Sequence, residues 1–239
     1  MNQYPVAMTD ITKPATRIQA LETLENELLV LGVPVYMGRV PALFREWLHS
    51  VKARNTPAVC IVVYGNRAYD NALLELKDLL LERGCIPIAG AAYIGEHSYS
   101  SSKTPIAEGR PDAGDLSHAE LFGRKINEKL KSVPAANHIV DLNIPGTYPY
   151  EGNTELWNED FIATSNACTE CGICAEVCPV GAVDSKNSSL IDKEKCITCC
   201  ACIKKCPENA KKMKSGRVKD VADRLFQLHK VRKEPELFL

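Results

Sequence analysis

Two cysteine runs in the last third of the chain constrain its structure more than any other feature. The first contains Cys168, Cys171, Cys174 and Cys178, and the second contains Cys196, Cys199, Cys202 and Cys206. A proline follows the last cysteine of each, so both runs have the spacing CxxCxxCxxxCP. This is the spacing with which proteins hold cubane [4Fe-4S] clusters. Zinc is the weaker alternative, because zinc sites favour two separated pairs of ligands.

The spacing also predicts how the two runs share their ligands. Three closely spaced thiolates can wrap one face of a cubane, and in two-cluster proteins the fourth cysteine of each run ligates the other cluster. We therefore assign one cluster to Cys168, Cys171, Cys174 and Cys206, and the other to Cys196, Cys199, Cys202 and Cys178. Two neighbouring clusters predict an electron-transfer protein, with a carrier favoured over a catalyst.

Three cysteines stand outside this pattern. Cys200 occupies the place that Gly172 has in the first run. It is either a substitute ligand or redox thiol, or a small side chain tolerated beside the cluster. Cys60 and Cys85 lie in apolar stretches, and we expect them to be small buried hydrophobes rather than reactive thiols.

Composition limits the class of protein. The 239 residues carry a formal net charge of -1, which argues against binding to nucleic acid or a membrane surface. No apolar run has the roughly 18 residues of a membrane span, and the first residues do not resemble a signal peptide. We expect a cytoplasmic protein whose eleven cysteines bind metal rather than form disulfides. The basic C-terminal stretch is either a solvated helix face or a docking surface for an acidic, unidentified redox partner.

The chain before the cysteines alternates apolar runs with helical patterns. Strands are predicted over residues 28–36, 58–65 and 85–95, and helices over residues 41–51, 70–84 and 115–132. This alternation predicts an α/β fold with a doubly wound parallel sheet, followed by a small α+β domain that holds the clusters. Ligands of such sheets bind at the carboxyl ends of the strands, which draws attention to residues 34–41 and 64–70.

The predicted domains follow from these patterns. The sheet domain spans residues 1–133, a turn-rich linker spans 134–160, and the cluster domain spans 161–212. Residues 213–239 form a helix and tail, in which Val221, Leu225 and Leu228 lie at helical spacing.

Several longer stretches carry a family resemblance. "GVPVYMGRVPAL", "TPAVCIVVYGNRAYDNALLELKDLL", "GCIPIAGAAYIGEHSYS", "IAEGRPDAGDL" and the ending "EPELFL" resemble a family of flavodoxin–ferredoxin fusion proteins, and the cysteine runs resemble bacterial two-cluster ferredoxins. The resemblance implies a flavodoxin-like fold in the first domain. It also implies that FMN in that domain exchanges electrons with the two [4Fe-4S] clusters.

The resemblance places the FMN ring between two loops. The implied flavin-binding residues are Pro34, Val35, Tyr36, Gly38, Arg39, Tyr64, Gly65, Asn66, Arg67, Tyr69 and Asp70. Tyr36 or Tyr64 would stack on the ring, and His97, which follows a strand end, is the histidine best placed for chemistry. If the protein is an enzyme, it is a flavin-dependent oxidoreductase. In the alternative, the flavodoxin-like domain binds no flavin and serves as a docking module.

The sequence departs from the family at its start. Residues 4–12, "YPVAMTDIT", resemble the second strand of a flavodoxin, so the first strand, the phosphate-binding loop and the first helix have no counterpart. A missing central strand leaves unpaired backbone groups and an apolar gap. We expect residues 3–9 to fill the slot, or a second chain to fill it in a homo-oligomer, or Met1 not to be the natural start.

Overall fold

The chain divides into two compact units in a computed structural model that describes residues 4–24, 26–132, 142–153 and 157–239. The sheet unit comprises residues 21–155 and 220–239, and the cysteine unit comprises residues up to Ala20 and 156–219. The sheet unit therefore differs from the predicted sheet domain of residues 1–133. It begins at residue 21 and includes the C-terminal tail. Residues 134–141 and 154–156 of the predicted linker lie outside the described residues.

Four strands form the main sheet of the sheet unit, in an order that alternates with helices along the chain. The elements are β1 (Glu22–Thr23), β2 (Leu29–Pro34), α1 (Ala42–Leu48), β3 (Lys52–Ala53), β4 (Thr56–Tyr64), α2 (Ala72–Glu82), β5 (Cys85–Ile94) and α3 (Ala113–Ser132). The tail contributes the last turns of α6 (Arg217–Leu228) and the strand β8 (Glu236–Phe238). The sheet order is β2-β4-β5-β8, in which β2, β4 and β5 are parallel and β8 is antiparallel to β5.

The parallel strands β4 and β5 form because their apolar runs are largely buried on both faces. Strand β2, at the end of the sheet order, buries Leu31 and Val33 but leaves Val30 55% exposed. Nearly every residue of β5 is buried. On one face, Phe122 and Ile126 of α3 join a core cluster with Val59 and Ala91. On the other face, Gly90 lies so close to α2 and to the segment after α3 that a Cβ there would be 3.2 Å from Ile144. This arrangement confirms the prediction of a mixed fold with a parallel sheet.

The predicted linker is partly packed against the sheet unit. Leu142 and Ile144 are buried, and the backbone amide of Thr147 donates to the side-chain oxygen of Asn71. The Tyr150 hydroxyl donates to Asp78 of α2 at 2.7 Å. These apolar and polar anchors explain why residues 142–153 belong to this unit rather than form a free connection.

The prediction that residues 4–12 form a strand is wrong. Tyr4 to Asp10 are exposed and have no strand partner among the described residues. The segment belongs to the cysteine unit, where the Arg17 guanidinium donates to the carbonyls of Ile11, Thr12 and Pro179. Since these contacts hold the segment there, residues 4–9 do not fill a slot in the sheet.

The cysteine unit contains a two-stranded antiparallel sheet and two short helices. Its elements are β6 (Ile162–Thr164), α4 (Ile173–Glu176), α5 (Ala201–Lys204) and β7 (Lys211–Met213). Strand β6 pairs with β7 so that Thr164 lies opposite Lys211. Each cysteine run contains one of the short helices. The first turn of α6 also belongs to this unit.

The final helix forms, but its buried stripe differs from the prediction. Val218 and Ala222 are buried, whereas Leu228 is 61% exposed. Within the described residues, no helix is both long and apolar enough to span a bilayer.

Candidate metal centres

Each cysteine run adopts the same local backbone, which places its thiols. Gly172 and Cys200 have left-handed conformations, with φ of 79° and 59°, and each directly precedes a short helix. Two residues earlier in each run, Glu170 and Thr198 are also left-handed. The reversal at these positions turns successive cysteines toward one side of the chain. The equivalence shows that Cys200 occupies a backbone position that suits glycine.

The thiols of the two runs line two separate pockets. The first pocket is lined by Cys168, Cys171, Cys174 and Cys206, together with Thr169, Ser188, Pro207, Glu208 and Lys211. The second is lined by Cys196, Cys199, Cys202 and Cys178, together with Cys200 and six apolar residues. Each pocket thus combines the triplet of one run with the proline-flanked cysteine of the other.

The thiols surround these pockets rather than converge on a point. In the part of the chain that the structure describes, no three His, Cys, Asp or Glu side chains are close enough together to hold a single metal ion. The ligands of a cubane bind four different irons, so they need not converge. The donor set and its arrangement therefore fit a polynuclear iron–sulfur cluster in each pocket.

Backbone amides support the proline-flanked thiol of each run. The amide of Ala182 donates to Sγ of Cys178 at 3.2 Å, and the amide of Ala210 donates to Sγ of Cys206 at 3.3 Å. In both cases the donor lies four residues after the cysteine, beyond a left-handed residue, Gly181 or Asn209. Hydrogen bonds to sulfur stabilise thiolate and make an iron–sulfur cluster easier to reduce.

The two pockets differ in their electrostatic surroundings. Burial raises the pKa of Cys199 to about 11 and that of Cys202 to about 12 in the second pocket. In the first pocket, burial also acts to raise the pKa of Cys206, but the amides of Lys211, Ala210 and Glu208 together hold it below its ordinary value. Negative charge is therefore more favourable on Cys206 than on Cys199 or Cys202.

Cys200 lines the second pocket beside the four cysteines of its quartet. Its side chain is 2% exposed, and its Sγ donates to the carbonyl of Thr198 at 3.8 Å. Burial raises the pKa of this thiol. Cys60 and Cys85 are buried in β4 and β5 of the sheet unit, where burial likewise raises the pKa of both thiols.

Comparison with known families identifies the cysteine region. Residues 161–207 match the family model described as 4Fe-4S dicluster domain. The region is a ferredoxin-type domain. Neither the curated proteins nor the solved structures gave a match to this chain. The family match extends over the two cysteine runs and supports an iron–sulfur, electron-transfer role for this domain.

The first of the two loops predicted to bind FMN is a tight turn. Pro34 ends β2, the amide of Val35 donates to the carbonyl of Val63, and Tyr36 and Arg39 exchange two backbone hydrogen bonds across Met37 and Gly38. Gly38 has φ of 82°, and a Cβ there would collide with the side chain of Asp70. The structure therefore brings the two loops into contact.

Several polar groups of these loops are engaged within the sheet unit, whereas Oδ1 of Asn66 is buried without a hydrogen-bond partner among the described residues. The Arg39 guanidinium makes two 2.8 Å hydrogen bonds to Glu75, and Arg67 pairs with Asp70. The side-chain amide of Asn66 donates to the carbonyls of His229 and Val231 in the tail.

The aromatic groups beside these loops are covered as well. The rings of Tyr64 and Tyr69 pack edge to face with centroids 5.5 Å apart, and the Tyr69 hydroxyl donates to Glu236 at 2.8 Å. Lys233 lies over the Tyr64 ring and donates to the Arg67 carbonyl. Gly65 lies against His97, whose Nδ1 accepts from the amide of Tyr99. The tail thus lies against the second of the two loops between which a flavin ring was predicted.

Sequence reasoning missed the groups that engage these loops. Glu75 stands among leucines in "ALLELKDLLLE", where a lone carboxylate on an apolar helix face signals a buried partner. His229 and Val231 give no such signal, because they act through backbone carbonyls, which are independent of side-chain type. Lys211 was also missed, although aligning the two runs shows that it replaces Val183.

Proposed function

We propose that this protein is an electron carrier with two [4Fe-4S] clusters, one in each cysteine-lined pocket. The observation that carries the proposal is the composition of the pockets, each of which has the triplet of one run and the proline-flanked cysteine of the other. The family match at residues 161–207 supports the same cluster type. Such clusters exchange single electrons, and the protein acts through the hydrogen bonds, charges and burial around the sulfurs.

The carrier has a protein as its redox partner in this proposal. Cys171 is exposed, while the cysteines of the second triplet are buried or half-buried. The first pocket is therefore the more accessible point for electrons to enter or leave the protein.

Whether the sheet unit binds FMN and relays electrons to the clusters is a separate question. The contacts of the sheet unit favour the alternative in which it binds no flavin. The side-chain NH2 group of Asn66 and the Tyr69 hydroxyl bind the tail, and Arg39 binds Glu75, so these donors are not available to bond the edge of a flavin ring. In this version of the proposal the sheet unit serves for docking rather than for redox chemistry.

The visible spectrum and the iron, sulfide and flavin content of anaerobically purified protein test both the cluster assignment and the absence of flavin. We expect a broad absorbance that dithionite bleaches, about eight iron and eight sulfide per chain, and no flavin released on denaturation. Zinc in place of iron would sink the carrier proposal. One equivalent of released FMN would restore the flavin relay and leave the cluster assignment untouched.

A further inference from the structure

Lys211 introduces a charge into one half of an otherwise repeated structure. It lies five residues after Cys206, and Val183 lies five residues after Cys178. Both side chains are buried, with Lys211 2% and Val183 6% exposed. The second run therefore buries an ammonium group where the first run buries a small hydrocarbon.

The contacts of Lys211 leave its charge without a protein counter-ion. Its Nζ donates to the carbonyl of Ser188 at 2.6 Å and to the hydroxyl of Thr164 at 3.1 Å. Both acceptors are neutral, and within the described residues no carboxylate lies within 4.0 Å of Nζ. A buried ammonium is costly unless a negative charge compensates it.

The first pocket offers the place for that negative charge. Lys211 and Ser188 both line it, together with the quartet of Cys168, Cys171, Cys174 and Cys206. Glu208 lines the same pocket, but it is exposed, so water screens its charge. An iron–sulfur cluster with four thiolate ligands carries a net negative charge that grows by one when it accepts an electron.

No charged residue lines the second pocket, although the charge of Lys211 also acts on one of its thiols, Cys202. Besides its cysteines, this pocket is lined by Ile162, Val180, Ala182, Val183, Ile191 and Ile197. An apolar shell disfavours any increase in charge, whereas a nearby cation favours an increase in negative charge. The cation beside the first pocket therefore favours one-electron reduction of a cluster there, whereas the apolar shell of the second pocket disfavours it.

We propose that Lys211 sets the order of reduction, so that the quartet completed by Cys206 accepts an electron before the quartet completed by Cys178. This inference rests on the proposed two-cluster function. In the singly reduced protein, the electron then lies on the cluster in the first, more accessible pocket. The cluster in the second, apolar pocket has the lower potential and is the stronger reductant.

Redox titration followed by electron paramagnetic resonance tests the inference in the full chain. Lys211→Met should lower the higher of the two midpoint potentials by about 59 mV or more, which is a tenfold change in a one-electron equilibrium. The lower potential should move much less. Lys212→Met is the matched control, because it removes the same charge from an exposed position on the same strand and should move neither potential. Lys211→Arg keeps the charge and should retain the higher potential.

A second titration shows which of the two clusters has the midpoint potential that Lys211→Met shifts. In a Cys199→Ala chain only the first quartet remains complete, and Lys211→Met should produce the same shift there. The inference is overturned if Lys211→Met with about eight irons shifts both potentials equally, shifts only the lower one, or shifts neither. It is also overturned if Lys211→Met and Lys211→Gln both abolish iron binding to the first quartet, because Lys211 is then a structural residue. Loss of both clusters in the unaltered chain would instead reject the proposed function.

Discussion

The side-chain amide of Asn66 donates a 2.7 Å hydrogen bond to the backbone carbonyl of His229, 163 residues later in the chain. A second bond, of 2.9 Å, joins the same amide to Val231. Asn66 follows β4 in a left-handed conformation and is 3% exposed. The loop after a central strand, where doubly wound sheets commonly bind ligands, is thus used to anchor the tail of the same chain.

Asn66→Ala should release the tail without unfolding the sheet. Two hydrogen bonds to part-buried carbonyls are lost, and each contributes about 0.5–1.5 kcal/mol. We expect amide hydrogen exchange in residues 229–239 to become at least about tenfold faster, while β4 and β5 keep their protection. Arg67→Ala is the control, since Lys233 bonds the backbone carbonyl of Arg67 rather than its side chain. Unchanged exchange in the tail of Asn66→Ala would show that β8 alone holds it.

Local sequence patterns predicted the parts of the structure that depend on local chemistry. The continuous apolar runs of β4 and β5 leave little choice but burial between helices. The cysteine spacing and proline are likewise local, and they marked the region that matches the dicluster family.

Long-range pairing could not be predicted in the same way. Residues 4–12 resemble a strand in composition, but Val6 is 75% and Met8 95% exposed, because no described strand pairs with them. Strand β8 has only three residues and depends on β5 for its partner. The partner of Asn66 is a backbone carbonyl, which any residue supplies. In each case the deciding contact lies far away in the sequence.

Glu75→Gln should destabilise the sheet unit strongly. Glu75 has a side chain only 2% exposed, and it accepts from the Arg39 guanidinium and from the amide of Val40. Removal of its charge leaves a buried guanidinium uncompensated, at a cost of about 3 kcal/mol or more. Denaturant unfolding should be followed by the fluorescence of Trp47 in a Trp157→Phe background, because the two tryptophans lie in different units.

Glu82→Gln provides the matched control for this measurement. Glu82 lies on the same helix, α2, with a side chain 60% exposed, and its loss should change the free energy of unfolding by less than about 0.5 kcal/mol. If Glu75→Gln has an equally small effect, the pair with Arg39 is not a source of stability.

Asp115 should make the stability of the sheet unit depend on pH. The buried Arg110 guanidinium holds the pKa of this carboxyl below its ordinary value of 3.8. A depressed pKa stabilises the fold fully above pH 3.8, and this contribution disappears as the pH falls through the folded-state pKa. The difference in unfolding free energy between the unaltered chain and Asp115→Asn should therefore be constant from pH 7 to 5 and shrink below about pH 4.

Glu120→Gln on the exposed side of α3 serves as the control for the Asp115 measurement. It should differ little from the unaltered chain at any of these pH values. A difference for Asp115→Asn that grows toward acid pH would reverse the expected sign and reject this role of the pair with Arg110.

Single cysteine substitutions should fall into two classes according to the cluster that they remove. Each class should include cysteines from both runs. Because Cys178 lines the pocket of the second triplet, Cys178→Ala should leave about four irons and the same residual paramagnetic spectrum as Cys199→Ala. Cys206→Ala should likewise match Cys171→Ala, since both line the first pocket. Cys60→Ala, in the sheet unit, should retain about eight irons. A Cys178→Ala spectrum that matched Cys171→Ala instead would mean that each run completes its own cluster.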